Sequence, residues 1–219
     1  KQTKDIKSKK LYFSSKKKAD CYLKDDIIYY NNEKVLDTNK MIIVGNHNKE
    51  NVMASIMVAK EFNVSNDTIR KVAYNFKGVE HRLEFSGEID GVKYYNDTEA
   101  TNIKCTQIAL SSFNKPTIII LGGLERGQDF NELTPYMKNV KAVLAIGECR
   151  KRVEDYAKSL KIPVYTHEFL KDAMKEIEGI KKSGDVVLLS PASASWDQYK
   201  ECEIRGKEFK DYVKTLKEA

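Results

Sequence analysis

The stretch Val-Lys-Tyr-Tyr-Asn-Asp-Thr-Glu-Ala-Thr-Asn, residues 92–102, decides the fold. An apolar, β-favouring run (Val92, Tyr94, Tyr95) stops at Asn96-Asp97-Thr98, and a helix-like segment with Ile103, Ile108, Ala109 and Leu110 follows. That is a strand, a polar turn and a helix start. In an open α/β sheet such a turn lies at the carboxyl ends of the strands, where ligands bind. Asp97, Thr98, Thr101 and Asn102 offer acceptors and hydroxyls beside a helix N-terminus, which favours anions. The plainer reading is that Asp97 or Thr98 only caps the helix.

Working outward, the same alternation runs through the rest of the chain from His81. Arg82 to Ile89 and Val92 to Tyr95 read as two strands joined at Asp90-Gly91, a strong hairpin signal. A helix over 102–112 follows. Thr117–Leu121 and Ala142–Ile146 are continuous apolar runs, as expected of buried parallel strands. Pro163–Thr166 is a shorter strand and Val186–Leu189 another buried one. Helices are expected at about 151–160, 169–181 and 198–217. The pattern predicts an α/β domain with a Rossmann-like, doubly wound, mainly parallel sheet.

Upstream the pattern differs. Residues 10–44 read as short β segments: Leu11–Phe13, a hairpin of Cys21–Leu23 with Ile27–Tyr30, then Val35-Leu36, and a further apolar run Met41–Val44. Gly45 opens a helix whose apolar face takes Val52, Ile56, Ala59 and, less regularly, Met53 and Phe62. Ser65-Asn66-Asp67 starts a second helix with Ile69, Val72, Ala73 and Phe76 on one side. The boundary is expected within 76–80, giving domains 1–79 and 80–219.

Composition narrows the class. Of 219 residues 41% are hydrophobic and 32% charged, enough for a packed core and a solvated surface. No apolar run approaches the ~20 residues of a membrane span, and no signal-peptide pattern appears. The net charge is +6, but residues 1–18 hold eight Lys and one Asp, a local +7, so the remainder is about −1. Without an aromatic-interleaved basic patch elsewhere, this is a solvated segment rather than a nucleic-acid site. Cys21, Cys105, Cys149 and Cys202 are far apart, form no C-x-x-C pair, and fit free thiols in the cytoplasm. The chain opens at Lys1 rather than Met, which fits a piece of a longer protein.

The strand ends carry the chemistry. Each buried strand stops in small or polar residues: Asn96-Asp97-Thr98, Gly122-Gly123, Gly147-Glu148 and Ser190-Pro-Ala-Ser-Ala-Ser195. Glycines and serines permit tight βα turns on their own account. Three serines within six positions, Ser190, Ser193 and Ser195, exceed what one cap needs. Arg126, in a glycine-flanked loop, suits a carboxylate, or is simply solvated. Asn48 and Asn51 stand one helical turn apart and suit an adenine edge. No covalent-catalysis elbow, zinc motif or G-x-x-x-x-G-K-[ST] phosphate loop is present.

Five stretches in order carry a resemblance: Gly-Asn-His-Asn-Lys-Glu-Asn at 45–51, Phe-Lys-Gly-Val-Glu-His-Arg-Leu-Glu at 76–84, Tyr-Asn-Asp-Thr-Glu-Ala-Thr-Asn at 95–102, Gly-Gly-Leu-Glu-Arg-Gly-Gln-Asp-Phe at 122–130, and Leu-Leu-Ser-Pro-Ala-Ser-Ala-Ser-Trp-Asp-Gln-Tyr at 188–199, with Arg205-Gly206 after it. Together they resemble the D-glutamate-adding Mur ligases over nearly all of the chain beyond residue 40. The resemblance implies an ATP-dependent amide ligase of peptidoglycan synthesis, with ATP, Mg2+, UDP-N-acetylmuramoyl-L-alanine and D-glutamate as cofactors and substrates. It also implies a cytoplasmic monomer without nucleic-acid or membrane partners. By motif position Asn48 and Asn51 would contact adenine, Arg82 and Asp97 the rest of the nucleotide, and Thr101, Arg126, Ser195 and the backbone around Trp196 would hold D-glutamate.

Three departures stand out. The resemblance leads one to expect Lys where Glu99 stands, Cys at Ser193 and Phe at Cys202. Glu99 is therefore expected to point away from an acidic substrate. The phosphate loop, the metal ligands and the UDP-binding residues would all precede Lys1, so residues 1–79 would be the tail of an α/β ATPase domain. No catalytic residue or metal ligand is assigned in the chain, which alone is expected to be inactive. The alternative class is a non-catalytic nucleotide- or amino-acid-binding module built on the same fold.

Overall fold

The structure, a computed structural model, describes residues 7–218. It divides into two compact units, the first ending at Phe76 and the second beginning at Lys77. The two sheets share no strand.

The first unit is a four-stranded sheet, β1 (Phe13–Ser14), β2 (Cys21–Lys24), β3 (Ile27–Tyr30) and β4 (Glu33–Asp37), in that order, with helices α1 (Asn46–Glu61) and α2 (Asn66–Asn75). Cys21, Ile28, Val35 and Leu36 from the strands meet Met53, Ile56, Ile69 and Ala73 from the helices in one core. Three expectations fail here. Met41–Val44 pairs with no strand among the described residues; it leads through Gly45 (φ 93°) into α1, and the Val44 carbonyl accepts from Asn48 Nδ2 at 2.8 Å. Phe62 ends α1 facing solvent, 78% exposed. Val72 and Phe76 are exposed too: Val72, next to the buried Ala73 in the chain, is turned about 100° round the helix from it, and Phe76 is the extended C-cap beyond the helix end at Asn75.

The second unit holds a six-stranded sheet in the order β5 (Glu84–Ile89), β6 (Val92–Asn96), β10 (Val186–Leu189), β7 (Thr117–Gly122), β8 (Val140–Ile146), β9 (Val164–Thr166). Only β5 runs antiparallel, as the hairpin partner of β6; every other pair is parallel. This is the mainly parallel α/β fold read from the sequence. Helices α3 (Ile103–Leu110), α4 (Arg150–Ser159), α5 (Leu170–Ile180) and α6 (Cys202–Glu218) connect or follow the strands, and a 3-10 segment, Phe130–Asn139, precedes β8. α6 starts four residues later than expected, because residues 198–201 stay in the loop after β10.

Both sheet faces are buried, which is why the strands read as unbroken apolar runs. One face sets Tyr94, Ile118, Ile120, Leu144, Val187 and Leu189 against Leu170, Met174 and Ile177 of α5 and Phe209 and Val213 of α6. Each such side chain contributes about 1.5–3 kcal/mol on burial. The opposite face, with Ile119, Leu121, Val143 and Leu188, is equally buried.

Topology places the site. The chain steps outward from β6 through β7 and β8 to β9, then returns to insert β10 between β6 and β7. The carboxyl ends of these parallel strands therefore deliver the loops 97–102, 123–129, 147–149 and 190–201 to one edge of the sheet, at the point where strand order reverses.

Candidate functional site

The 97–102 loop is fixed by its own polar side chains. Asn96 Oδ1 accepts from the Thr98 amide (3.2 Å) and Asn96 Nδ2 donates to Glu84 Oε2 (3.0 Å). Asp97 is 7% exposed; its Oδ1 accepts from the Leu83 amide (3.0 Å) and its Oδ2 from the Ser190 hydroxyl (2.8 Å). Burial pushes the Asp97 carboxyl up to about 6, because desolvation outweighs both hydrogen bonds. The helix cap is neither Asp97 nor Thr98 but Asn102, whose Oδ1 accepts from Cys105 N at 3.0 Å. Asp97 is thus free of the capping duty that the plainer reading gave it. Thr101, half-buried, lies just before the cap.

Arg82 and Glu99 face each other, Nη2 to Oε2 at 3.5 Å, and Cys202 Sγ lies 3.6 Å from the other Glu99 oxygen. Glu99 is engaged by a neighbouring cation and a thiol. Glu99, Cys202 and Glu203 place one donor atom each within 4.8 Å of one another, the one such trio among the described residues. The set does not fit Mg2+, which takes an all-oxygen shell. Burial and the flanking carboxylates also push the Cys202 thiol up to about 11, so it stays protonated at neutral pH.

The glycine loops work by closeness. At Gly123 (φ 143°) a Cβ would lie 2.3 Å from the Ala194 carbonyl oxygen, and at Gly147 (φ 71°) it would lie 2.5 Å from Asp197 Oδ2. The loops after β7, β8 and β10 are pressed together there, and only glycine allows it. Leu124 N donates to Ala194 O, Cys149 N to Gly123 O, and Glu148 N to Asp197 Oδ2. Gln128 ties the same loops by donating to Ser193 Oγ. Arg152 holds Glu125 (2.5 Å) and the Gln128 carbonyl (2.7 Å).

Arg126 stands at the tip of this cluster. It has no ion pair among the described residues, and its guanidinium carbon lies 4.7 Å from the ring centroid of Trp196, which is 64% exposed. Immediately before Trp196, Ser195 is 1% exposed and its hydroxyl has no hydrogen-bond partner in the structure. A buried hydroxyl without a partner costs about 1–3 kcal/mol, which makes Ser195 a candidate donor to a bound group.

The second unit thus brings Arg82, Asp97, Thr101, Arg126, Ser195 and Trp196 to the same sheet edge. Asn48 and Asn51 belong to the first unit, on the opening turns of α1; Asn51 Nδ2 lies 3.5 Å from Asn48 Oδ1, and the Asn48 amide is held by Val44 O. Sequence reasoning gave no role to Asn96, Ser190, Gln128 or Arg205. Arg205 carried one signal: with Phe209 and Val213 it forms an i, i+4, i+8 stripe on α6, and all three are buried.

Residues 81–193 match the family described as Mur ligase, glutamate ligase domain. The chain belongs to the Mur ligase family. It is 44% identical over 197 residues to the UDP-N-acetylmuramoylalanine–D-glutamate ligase of Bacillus subtilis, covering 90% of this chain and 44% of that protein. To the ligase of the same name from Oenococcus oeni it is 42% identical over 205 residues, 93% of this chain and 47% of that one. The chain therefore spans about half the length of the curated relatives it matches. In structure it is similar to the MurF ligase of Thermotoga maritima in complex with ADP, with TM-score 0.64, 19% identity, and coverage of 94% of this chain and 49% of that one. The UDP-N-acetylmuramate–alanine ligase of the same organism gives TM-score 0.64 at 15% identity, covering 94% and 48%. At these identities the structures attest the fold alone.

Proposed function

We propose that the chain is the C-terminal part of an ATP-dependent amide ligase that joins D-glutamate to UDP-N-acetylmuramoyl-L-alanine in peptidoglycan synthesis. The name shared by relatives at 40–44% identity supports this. The observation that carries it is the partnerless buried Ser195 hydroxyl beside the unpaired Arg126–Trp196 stack. A hydroxyl and an exposed, forked cation at one sheet edge suit a dicarboxylate.

In this reading ATP transfers its terminal phosphoryl group to the alanine carboxylate, leaving ADP and an acyl phosphate. The D-glutamate amine then attacks the acyl carbon and expels phosphate, forming the amide. Magnesium, when bound, neutralises charge on the phosphates; its ligands are not assigned to this chain. The residues here orient. Arg126 engages one carboxylate of D-glutamate, and Ser195 and Thr101 donate hydroxyl hydrogen bonds to its oxygens. Trp196 holds the Arg126 fork flat through the cation–π stack. Asp97 and Arg82 hold the nucleotide, Asp97 accepting from ribose hydroxyls, while Asn48 and Asn51 read adenine. Residues 1–79 are the tail of the ATP-binding domain and 80–219 the D-glutamate-binding domain. The protein works as a cytoplasmic monomer; none of its described helices is long and apolar enough to cross a membrane.

The test is an amino-acid panel. The longer ligase carrying this chain, given ATP, Mg2+ and UDP-N-acetylmuramoyl-L-alanine, releases ADP and forms product with D-glutamate. Turnover with another amino acid in preference to D-glutamate would overturn the reading.

A further inference from the structure

Three buried polar side chains meet where β6 and β10 end. The register pairs Asn96 with Leu189, so the next residues, Asp97 and Ser190, leave the sheet side by side, and Asp97 N donates to Leu189 O at 2.8 Å. Thr106 approaches from α3; it and Ser190 are fully buried. The Ser190 hydroxyl lies 2.8 Å from Asp97 Oδ2 and 3.1 Å from Thr106 Oγ1, and Thr106 Oγ1 donates its own proton to the Ser190 carbonyl at 3.2 Å.

The Ser190 hydroxyl thus has one proton and two acceptors in reach. With Asp97 ionised, the proton goes to the carboxylate, the nearer and charged acceptor. With Asp97 protonated on Oδ2, the carboxyl donates to Ser190 Oγ and the Ser190 proton turns to Thr106 Oγ1. Oδ1 stays an acceptor throughout, because it faces the Leu83 amide. Each form of Asp97 is therefore fully hydrogen-bonded, and small changes around it decide between them. Burial disfavours the ionised form, the Ser190 and Leu83 hydrogen bonds favour it, Arg82 from the loop before β5 favours it, and Glu99 on the same loop as Asp97 opposes it.

We propose that Ser190 and Thr106 are positioning residues for Asp97 in nucleotide binding: the Ser190 hydroxyl holds Asp97 as an ionised acceptor for ribose hydroxyls, and Thr106 receives the Ser190 proton whenever Asp97 is protonated instead. The inference rests on the nucleotide role proposed above for Asp97. An ionised carboxylate offers about four lone-pair sites. Leu83 N and Ser190 Oγ take one on each oxygen, so each oxygen keeps acceptor capacity for a ribose hydroxyl. Protonation of Oδ2 removes its charge and leaves it a much poorer acceptor. The two neighbours act in opposite senses: Ser190 stabilises the ionised form, and Thr106 stabilises the protonated one.

The test is calorimetric binding of ADP and of 2′,3′-dideoxy-ADP to the longer ligase carrying this chain, across the titration of Asp97. The two nucleotides share their phosphates, so the ratio of their affinities isolates the ribose hydroxyls. In wild type the preference for ADP falls as pH drops through about 6, where Asp97 gains its proton. Ser190→Ala removes a donor to the ionised form, and the midpoint rises by about one to two pH units. Thr106→Val, equal in size, removes the acceptor that the protonated form needs, and the midpoint falls by roughly half to one unit. A general loosening of the loops cannot move the midpoint in opposite directions. Coincident midpoints in wild type and both variants overturn the inference, as do midpoints that shift the same way or an ADP preference independent of pH. If Ser190→Ala does not fold, Thr106→Val decides alone: a lowered midpoint upholds the inference, and an unchanged or raised one overturns it. Equal affinities of wild type for the two nucleotides at every pH overturn the ribose role of Asp97 and this inference with it, a result distinct from the others.

Discussion

Replacing Asp97 by Asn should stabilise the second unit at neutral pH and leave it unchanged in acid. The folded carboxyl ionises near 6 against an ordinary 3.8, because 93% of the residue's surface is withdrawn from water. A raised carboxylate pKa means that the folded state holds its proton more tightly than the unfolded one. Its contribution is therefore complete below pH 3.8 and is lost as pH rises through 6. The loss is on the order of 3 kcal/mol. Asparagine mimics the protonated form. Its Oδ1 still accepts from Leu83 N, and its Nδ2 donates to Ser190 Oγ, whose proton turns to Thr106 Oγ1, already 3.1 Å away. Allowing for imperfect rewiring, a net gain of about 1–2 kcal/mol remains at pH 7.5, a rise of roughly 3–6 °C in melting temperature. Thermal melts of both proteins from pH 4 to 8 decide it: the difference should be near zero at pH 4 and grow through pH 6. An Asn variant equally destabilised at both ends would refute the burial argument. In the proposed ligase the same change should weaken ATP, trading function for stability.

Gly206→Ala should lower stability by about 1–3 kcal/mol, because the new methyl would lie 2.5 Å from His81 Nδ1 and 2.6 Å from Thr98 Cγ2; an unchanged urea midpoint would contradict that crowding. Ser195→Ala should leave the melting temperature unchanged or raise it, since a buried partnerless hydroxyl is removed, while weakening D-glutamate about tenfold in steady-state kinetics. The 219-residue chain alone should form no amide from ATP, UDP-N-acetylmuramoyl-L-alanine and D-glutamate, since no phosphate loop lies within it; product from the purified chain would show otherwise.

Much of the second unit was legible because buried parallel strands are long apolar runs and their ends are marked by Gly, Ser and Asp. Thr117–Gly122 and Val140–Ile146 needed nothing else. The first unit was harder. Met41–Val44 has the composition of a strand, but strand formation needs a partner edge, and pairing is not written in one segment. Val72 is exposed because only packing chooses which apolar stripe of this ten-residue helix is buried, and Phe76 because the helix ends at Asn75 and the backbone there is extended. At the candidate site, residues in marked turns (Asp97, Arg126, Ser195) could be read directly. Arg205 could not, since nothing local tells a buried arginine from a solvated one; its partners lie on loops distant in the chain. The engagement of Glu99 by Arg82 and Cys202 likewise arises only once three separate segments meet.

The proposed ligase activity depends most directly on an acidic substrate meeting Arg126. In the complete ligase, Arg126→Ala removes a forked cation that has no ion-pair partner among the described residues and leaves a carboxylate without its donor. Charge-assisted hydrogen bonds of about 1.5–3 kcal/mol translate into a rise in the KM for D-glutamate of roughly one to two orders of magnitude. The KM for ATP should change little, and Arg126→Lys should recover only part, since Lys lacks the planar fork that stacks on Trp196. Steady-state kinetics with each substrate varied separately gives the answer. A selective rise in the D-glutamate constant is the result the account predicts; constants for both substrates equal to wild type would remove Arg126 from the site and contradict the assignment of that crevice.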